Sequence, residues 1–358
     1  MIGIGKPDPE IFVHWLSDGT AATPPTCRQI WTTITHRYRE GHDARMSEQP
    51  AIRTDRLTKQ FGAFTAVCDL DLEVEIGEVF GFLGPNGAGK STTIRTLLDQ
   101  IRPTSGRARI LGMDSHKDSL KIRSAIGYVP GDLALYPKLT GSETLRYFAR
   151  LRGGVDQKYV DQLAERLQAD LSKKVGDYST GNRQKIGLIQ AFMHKPDLLI
   201  LDEPTAGLDP LVQREFNTML HEVREEGRTV FLSSHTLSEV ERVAGRVGII
   251  REGRLVAVER IADLQAKAIR RLDIEFAEPV SPELFAQVDT VREVTVDGTH
   301  ATVAFDGPIN GILAAAMAHE LVDLHTRDAD LEEIFLAYYR GSSEDSEDGA
   351  KKDPSDVH

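Results

Sequence analysis

The chain has 358 residues, 40% of them hydrophobic, a formal net charge of −12 and two cysteines, Cys27 and Cys68. This length suggests two domains with a proper core. The acidic balance argues against nucleic acid as a main partner, and the cysteine count excludes a thiolate metal cluster or a disulfide framework, as suits a reducing cytoplasm. No apolar run approaches the roughly 18 residues of a membrane-crossing helix, and the N-terminus lacks an apolar signal core, so the chain is expected neither to be secreted nor to span a membrane.

Residues 1–45 hold both tryptophans, Trp15 and Trp31, with Pro7, Pro9, Pro24 and Pro25, and sustain no helical or strand period. They read as a loose extension ahead of a true start at Met46, or else as a small subdomain. From Ala51, "AIRTDRLTKQFG" and "AVCDLDLEVEIGE" alternate apolar and polar residues as half-buried antiparallel strands do. "VFGFLG" from Val79, "DLLILDEP" from Asp197 and "TVFLSS" from Thr229 are short apolar runs, suited to strands buried on both faces of a parallel sheet. Between them, residues 131 to about 190 read as a helical lobe. Thr140 and Glu143 stand at capping-box spacing, two glycines stop that helix, and Val160, Leu163 and Leu167 share a face of the next.

After a hairpin at Glu252 and Gly253 the pattern becomes strand, helix, strand, strand, helix, strand, with Asp297 and Gly298 at the central turn. That order predicts a ferredoxin-like split βαβ domain. "DLEEIFLAYYRG" reads as a closing helix, and the acidic tail 341–358 as disordered.

The chemistry lies in the first part. "GPNGAGKST" (Gly84, Pro85, Asn86, Gly87, Ala88, Gly89, Lys90, Ser91, Thr92) satisfies a phosphate-loop pattern expected by chance about once in a hundred chains of this length. It follows an apolar strand and opens a helix. Glycines let backbone N–H groups turn inward around phosphate oxygens, and the helix N-terminus adds partial positive charge. Lys90 can reach the β- and γ-phosphates, and the Ser91 hydroxyl can ligate Mg²⁺. "LLILDEP" ends a strand in two acids: Asp202 suits Mg²⁺, and Glu203 suits a base that orients and deprotonates water. His235, in "SSH" at the next strand end, suits a γ-phosphate contact.

"GPNGAGKST", "YSTGNRQK", "LLILDEPTAGLDP" and "SSH", in this order, resemble the ATP-binding cassette (ABC) transporter ATPases, and more closely the ATPase subunits of bacterial drug and antibiotic exporters with a separate permease. The resemblance covers roughly Ala51 to Tyr339. It implies an α/β P-loop NTPase of ABC type, with a mixed-sheet core, an antiparallel β subdomain and a helical lobe, over 46–258, plus a small α+β accessory domain over 259–340. It implies ATP and Mg²⁺ as ligands, with Glu203 and His235 catalytic. The partners implied are a membrane permease and a second ATPase chain, identical or related, and not nucleic acid; the chain then sits at the cytoplasmic face of the membrane. In such head-to-tail dimers each ATP lies between one chain's phosphate loop and the other's signature loop, here Ser179 and Gly181. Phe61 matches the aromatic that stacks on adenine, although it can also be read as a core strand residue. Asp209 matches the loop that links the two sites.

Two motifs depart from the family pattern. Gly131 stands where a glutamine usually senses Mg²⁺ and touches the permease, which leaves water or Asp132 to make that contact. Thr180 and Asn182 stand in the signature loop where glycine and glutamine are usual, and a β-branched Thr180 restricts the backbone there. The alternative is a soluble ABC ATPase acting in translation or DNA repair. The single cassette and the absence of a sustained heptad argue against it, while a P-loop kinase leaves "LDEPTAGLD" and "SSH" unexplained. The intact mass of the protein from its native host is expected to lack residues 1–45; a mass that includes them overturns the start at Met46.

Overall fold

The computed structural model describes residues 49–267 and 269–327. The N-terminal extension, the closing helix and the acidic tail expected from the sequence lie outside these. The elements, in order, are β1 (Ile52–Phe61), β2 (Phe64–Val74), β3 (Val79–Leu83), α1 (Lys90–Leu97), β4 (Ser105–Ile110), β5 (Met113–Asp114), α2 (Ser119–Ala125) and β6 (Ile126–Val129). Three helices follow, α3 (Gly141–Leu151), α4 (Gln157–Arg166) and α5 (Thr180–Phe192), then β7 (Leu198–Asp202), α6 (Pro210–Glu225), β8 (Thr229–Ser234), α7 (Leu237–Glu241), β9 (Arg246–Arg251), β10 (Arg254–Arg260) and α8 (Ile261–Lys267). The last group is β11 (Arg270–Phe276), β12 (Val291–Asp297), β13 (His300–Phe305), α9 (Asn310–Ala316) and β14 (Leu321–Arg327).

Six strands form the central sheet in the order β10-β9-β3-β8-β7-β6. All neighbours are parallel except the β9–β10 hairpin. Every residue of β3, β7 and β8 is buried, which is why these segments are almost continuously apolar. The crossovers place β8 between β3 and β7, with Leu83 opposite Ser234 and Asp202 opposite Ser233. β3 and two strands more than a hundred residues further along the chain thus end side by side at the carboxyl end of the sheet, where α/β proteins bind ligands. A second, antiparallel sheet, β2-β1-β4-β5, is built on the β1–β2 hairpin.

The helical segment is defined by its caps. Thr140 and Glu143 form the reciprocal capping box at the start of α3, Asp156 caps α4 and Ser179 caps α5. Val160, Leu163 and Leu167 point into the same core as Phe192 and Phe216, whose rings meet edge to face. Arg166 of α4 reaches α6 with a hydrogen bond to Glu215 (2.5 Å) and a bidentate pair with Glu222 (2.6 and 2.8 Å). That pairing holds the Glu222 carboxyl below its ordinary range.

The last four strands order as β12-β13-β11-β14, every neighbour antiparallel. This is the strand order of a split βαβ unit. Leu272, Ile274 and Phe276 of β11 alternate inward onto Phe285, Ile312 and Ala316. Asp273, on the opposite face of β11, is nonetheless buried and accepts from Thr302 at 2.7 Å.

One buried histidine generates a pH prediction. His194, between α5 and β7, bonds the Ile126 carbonyl at 3.1 Å through Nε2. Burial, then the charges of Arg152 and Arg228, hold its pKa down to about 4 from an ordinary 6.5. The folded state therefore favours the neutral ring. That preference contributes fully above the unfolded pKa and is lost as pH falls from about 6.5 towards about 4, because only the unfolded chain takes up the proton. Denaturant titrations at neutral and at weakly acidic pH are expected to show the wild type losing about 1–2 kcal/mol more than His194→Gln, a figure discounted for the ring's partial exposure. Equal losses in the two proteins overturn this assignment.

Candidate active site

β3 delivers the phosphate loop. Gly84, Ala88, Gly89 and Lys90 are buried, Pro85, Asn86 and Gly87 form an exposed rim, and Ser91 and Thr92 are half-buried in the first turn of α1. Gly89, the residue before the helix, has φ 108°, and a β-carbon there would stand 2.5 Å from the Ala66 carbonyl of β2. Only glycine fits both the left-handed backbone and that approach. No side chain caps the N-terminus of α1, so its partial positive charge is presented to the loop. The Lys90 ammonium donates to the Gly84 (2.5 Å) and Pro85 (3.2 Å) carbonyls.

The acids arrive at the ends of β7 and β8. Asp202 is 1% exposed, and the Ser233 hydroxyl donates to its Oδ1 at 2.6 Å. The Glu203 backbone N–H donates to both the carbonyl and the hydroxyl of Ser233, each at 3.2 Å. Glu203 has φ 49°, in the left-handed region that non-glycine residues rarely adopt. Its Oε2 lies 2.8 Å from Nδ1 of His235. Its Oε1 is buried and lies 3.3 Å from the Lys90 ammonium, an ion pair without a directional hydrogen bond. Lys90, Asp202, Glu203 and His235, predicted from three separate motifs, thus converge. A β-carbon at Gly131 would stand 3.1 Å from Oδ2 of Asp202, so this loop lies against the acid, while Asp132 beside it is exposed. The buried Asp202 carboxylate, with one oxygen held by Ser233, and the Ser91 hydroxyl are hard oxygen donors of the kind that suits Mg²⁺.

Ser179 caps α5, its hydroxyl accepting from the Asn182 N–H at 3.2 Å. Thr180 is the first helical residue and has no left-handed φ, so the backbone penalty expected from its β-branch does not arise. The Asn182 amide does not face a ligand loop: it donates to and accepts from the backbone of Asp170, both at 2.9 Å, and so clamps the helical segment. A β-carbon at Gly181 would stand 2.3 Å from the Gly207 carbonyl. Ser179 and Gly181 therefore lie beside the loop after Glu203, and their described contacts do not include residues 84–92 of the same chain. Lys185 pairs with Asp209 at 3.7 Å and donates to the Gln168 carbonyl at 3.3 Å. Asp209 caps α6 through the Leu211 and Val212 N–H groups. The Val212 bond first, and then the Lys185 charge, outweigh desolvation and hold its carboxyl below the ordinary range.

Phe61 is 49% exposed at the tip of the β1–β2 hairpin, with the Lys59 ammonium 4.8 Å from its ring centroid. Phe61 is therefore not a core residue. Sequence reasoning missed three supporting residues: Ser233, Gln184, whose amide donates to the Pro204 carbonyl at 2.9 Å, and Glu239, which accepts from Thr205 and Ser234. The one signal for Ser233 was a serine at the end of an otherwise apolar strand.

The arrangement is that of a P-loop nucleotide hydrolase. The ABC transporter family matches residues 67–206. The chain is 35% identical over 293 residues to the bacitracin transport ATP-binding protein BcrA of Enterococcus faecalis, covering 80% of this chain and 94% of that one. It is 32% identical over 301 residues to the linearmycin resistance ATP-binding protein LnrL of Bacillus subtilis, covering 80% and 97%. Among solved structures, an ATP-binding subunit of an ABC transporter superposes with a TM-score of 0.55 at 30% identity, over 60% of this chain and 92% of that one. A bacterial ABC transporter cassette solved as a dimer shares the fold at the same TM-score and 23% identity, over 59% and 98%. The chain belongs to the ATP-binding subunits of ABC transporters.

The local geometry of Thr180 predicts a working signature loop. Glu203→Gln is expected to cut ATP turnover by about 100-fold or more and to accumulate as a dimer at saturating ATP in size-exclusion chromatography. A nucleotide-bound protein that stays strictly monomeric would show that this loop does not engage.

Proposed function

We propose that the chain hydrolyses ATP to power a separate membrane permease in an exporter of drugs or antibiotics. The convergence of Lys90, Asp202, Glu203 and His235 carries the hydrolytic part of this reading, and the transport and resistance proteins named above support the export part. In this reading Phe61 stacks on adenine, Gly84 to Thr92 wrap the phosphates, and Lys90 neutralises the β- and γ-phosphates. Asp202 and Ser91 would hold Mg²⁺, which when bound would supply charge neutralisation at the phosphates. Glu203 orients the attacking water and accepts its proton, while His235 holds Oε2 of Glu203 and faces the γ-phosphate. Ser179 and Gly181 serve the site of a second chain, identical or related, and Asp209 lies in the loop between the two sites. Residues 46–258 are the ATPase domain and 259–340 an accessory domain that stabilises the dimer or the permease contact.

The permease contact has a candidate location. A groove of about 270 Å³, lined by Leu98, Tyr128, Pro130, Leu133, Phe148 and Arg152, runs between the central sheet and the helical segment. Pro130 and Leu133 flank Gly131, which abuts Asp202. A permease helix seated there would touch the loop that contacts the metal-binding acid. Through it the chain would sit at the cytoplasmic face of the membrane; among the described residues no helix is long and apolar enough to cross one.

Affinity purification from detergent-solubilised membranes of the native host, with mass spectrometry of what is retained, is expected to recover a polytopic membrane protein in roughly equal amount. Recovery of ribosomal or DNA-associated partners in its place overturns the export reading.

A further inference from the structure

We infer that Glu239 is a positioning residue for ATP hydrolysis: its carboxylate locks the loop that carries Glu203 to the strand end that carries His235. The inference rests on the reading of Glu203 and His235 as the hydrolytic pair. Glu239 lies on α7, four residues beyond His235. Its Oε1 accepts from the Thr205 hydroxyl at 2.8 Å, and its Oε2 accepts from the Ser234 hydroxyl at 2.7 Å. The Ser234 hydroxyl in turn accepts from the Thr236 N–H at 3.0 Å. His235 is therefore flanked on both sides by groups that this carboxylate holds. Thr205, two residues past Glu203, is held by the same carboxylate.

Thr205 and Ser234 are 9% and 1% exposed, so neither hydroxyl is well placed to exchange its partner for water. Both are donors in these contacts, and each needs an acceptor. A carboxylate offers acceptors on both oxygens; an amide offers only one. The requirement at position 239 is thus for a carboxylate, although no cation is among its described partners. Directly across the same seam, Glu203 and His235 meet at 2.8 Å. Glu203 is on a left-handed backbone that local preference does not supply, so its neighbours must hold it there. Ser233 ties the seam on one side of Glu203 and His235 and Glu239 ties it on the other. Without Glu239, the seam keeps the Ser233 bonds to the Glu203 N–H and the 2.8 Å contact to a half-exposed histidine, but loses the tie between the Thr205 loop and the strand end that carries His235.

The test is steady-state ATP hydrolysis by the full chain, with nucleotide affinity and melting temperature measured alongside, for wild type, Glu239→Ala, Glu239→Gln, Thr205→Val, the double variant Thr205→Val/Glu239→Ala, and Glu203→Gln as control. Glu239→Ala is expected to lower kcat by about 10–100-fold, with KM for ATP and nucleotide affinity within about threefold, as for a misplaced rather than a missing catalytic group. Glu239→Gln is expected to fall between wild type and alanine. Thr205→Val should lower kcat alone and add little to Glu239→Ala, since both act on one bonded chain. A Glu239→Ala kcat within about twofold of wild type overturns the inference, and so does a fall in kcat matched by equal falls in affinity and melting temperature. If Glu239→Ala does not fold, Glu239→Gln and Thr205→Val decide by the same criteria. An active wild type that Glu203→Gln silences, with the position-239 and position-205 variants unaffected, sinks this inference alone. A wild type with no hydrolysis for Glu203→Gln to abolish sinks the reading beneath it.

Discussion

A single carboxylate organises this molecule. Glu203 sits between an ammonium 3.3 Å away and an imidazole 2.8 Å away, on a backbone turned into the left-handed region. Each of these conditions costs free energy by itself. Its buried Oε1 needs a partner, a positive φ needs external support, and Lys90 is as deeply buried as the core. They are met together because β3, β7 and β8 end in register, so that Leu83, Asp202 and the two serines before His235 are cross-strand neighbours. The parallel sheet thus builds the site as well as supporting it. A slip of one residue between β7 and β8 would move Ser233 away from Asp202 and leave a buried acid without its donor.

From that point, contacts run outward into the helical segment. Gln184 holds the carbonyl of Pro204, Gly181 abuts Gly207, and Lys185 pairs with Asp209, so α5 touches the 204–209 loop at its start, middle and end. Further along, Arg166 of α4 grips Glu215 and Glu222 of α6, the helix that Asp209 caps. Arg166 and Lys185 therefore join the same two layers by charge, Gln184 joins them by a hydrogen bond and Gly181 by close packing. Displacement of the helical segment against the sheet has to be transmitted to the residues that follow Glu203, because these contacts leave little slack between the two.

Much of the fold could be read from the sequence because its signals are local. Unbroken apolar runs mark the buried strands, the Thr140–Glu143 spacing marks a helix start, and Asp297-Gly298 marks a hairpin. The phosphate loop was legible because glycine, lysine and serine must stand at fixed spacing to surround a phosphate. Ser233, Glu239 and Gln184 were not, because what they do depends on strand order, which no local pattern encodes. Asn182 shows the limit most clearly. Its place in the motif aligns it with a glutamine, but its partners are the backbone atoms of Asp170, twelve residues earlier in the chain.

The two departures from the family pattern resolve differently. At Thr180 the backbone is helical, so a β-branched residue is accommodated, and its methyl side faces Gly207 rather than a strained turn. At Gly131 the missing side chain has consequences, because a β-carbon there would already be within 3.1 Å of the Asp202 carboxylate. A long polar side chain at this position would lie along Asp202. Glycine instead leaves only backbone at position 131 to face Oδ2 of that acid, whose Oδ1 is held by Ser233. A signal carried by this loop from the groove to Asp202 then passes through backbone displacement, and a loop with glycine next to proline combines one stiff and one permissive residue at the point of contact.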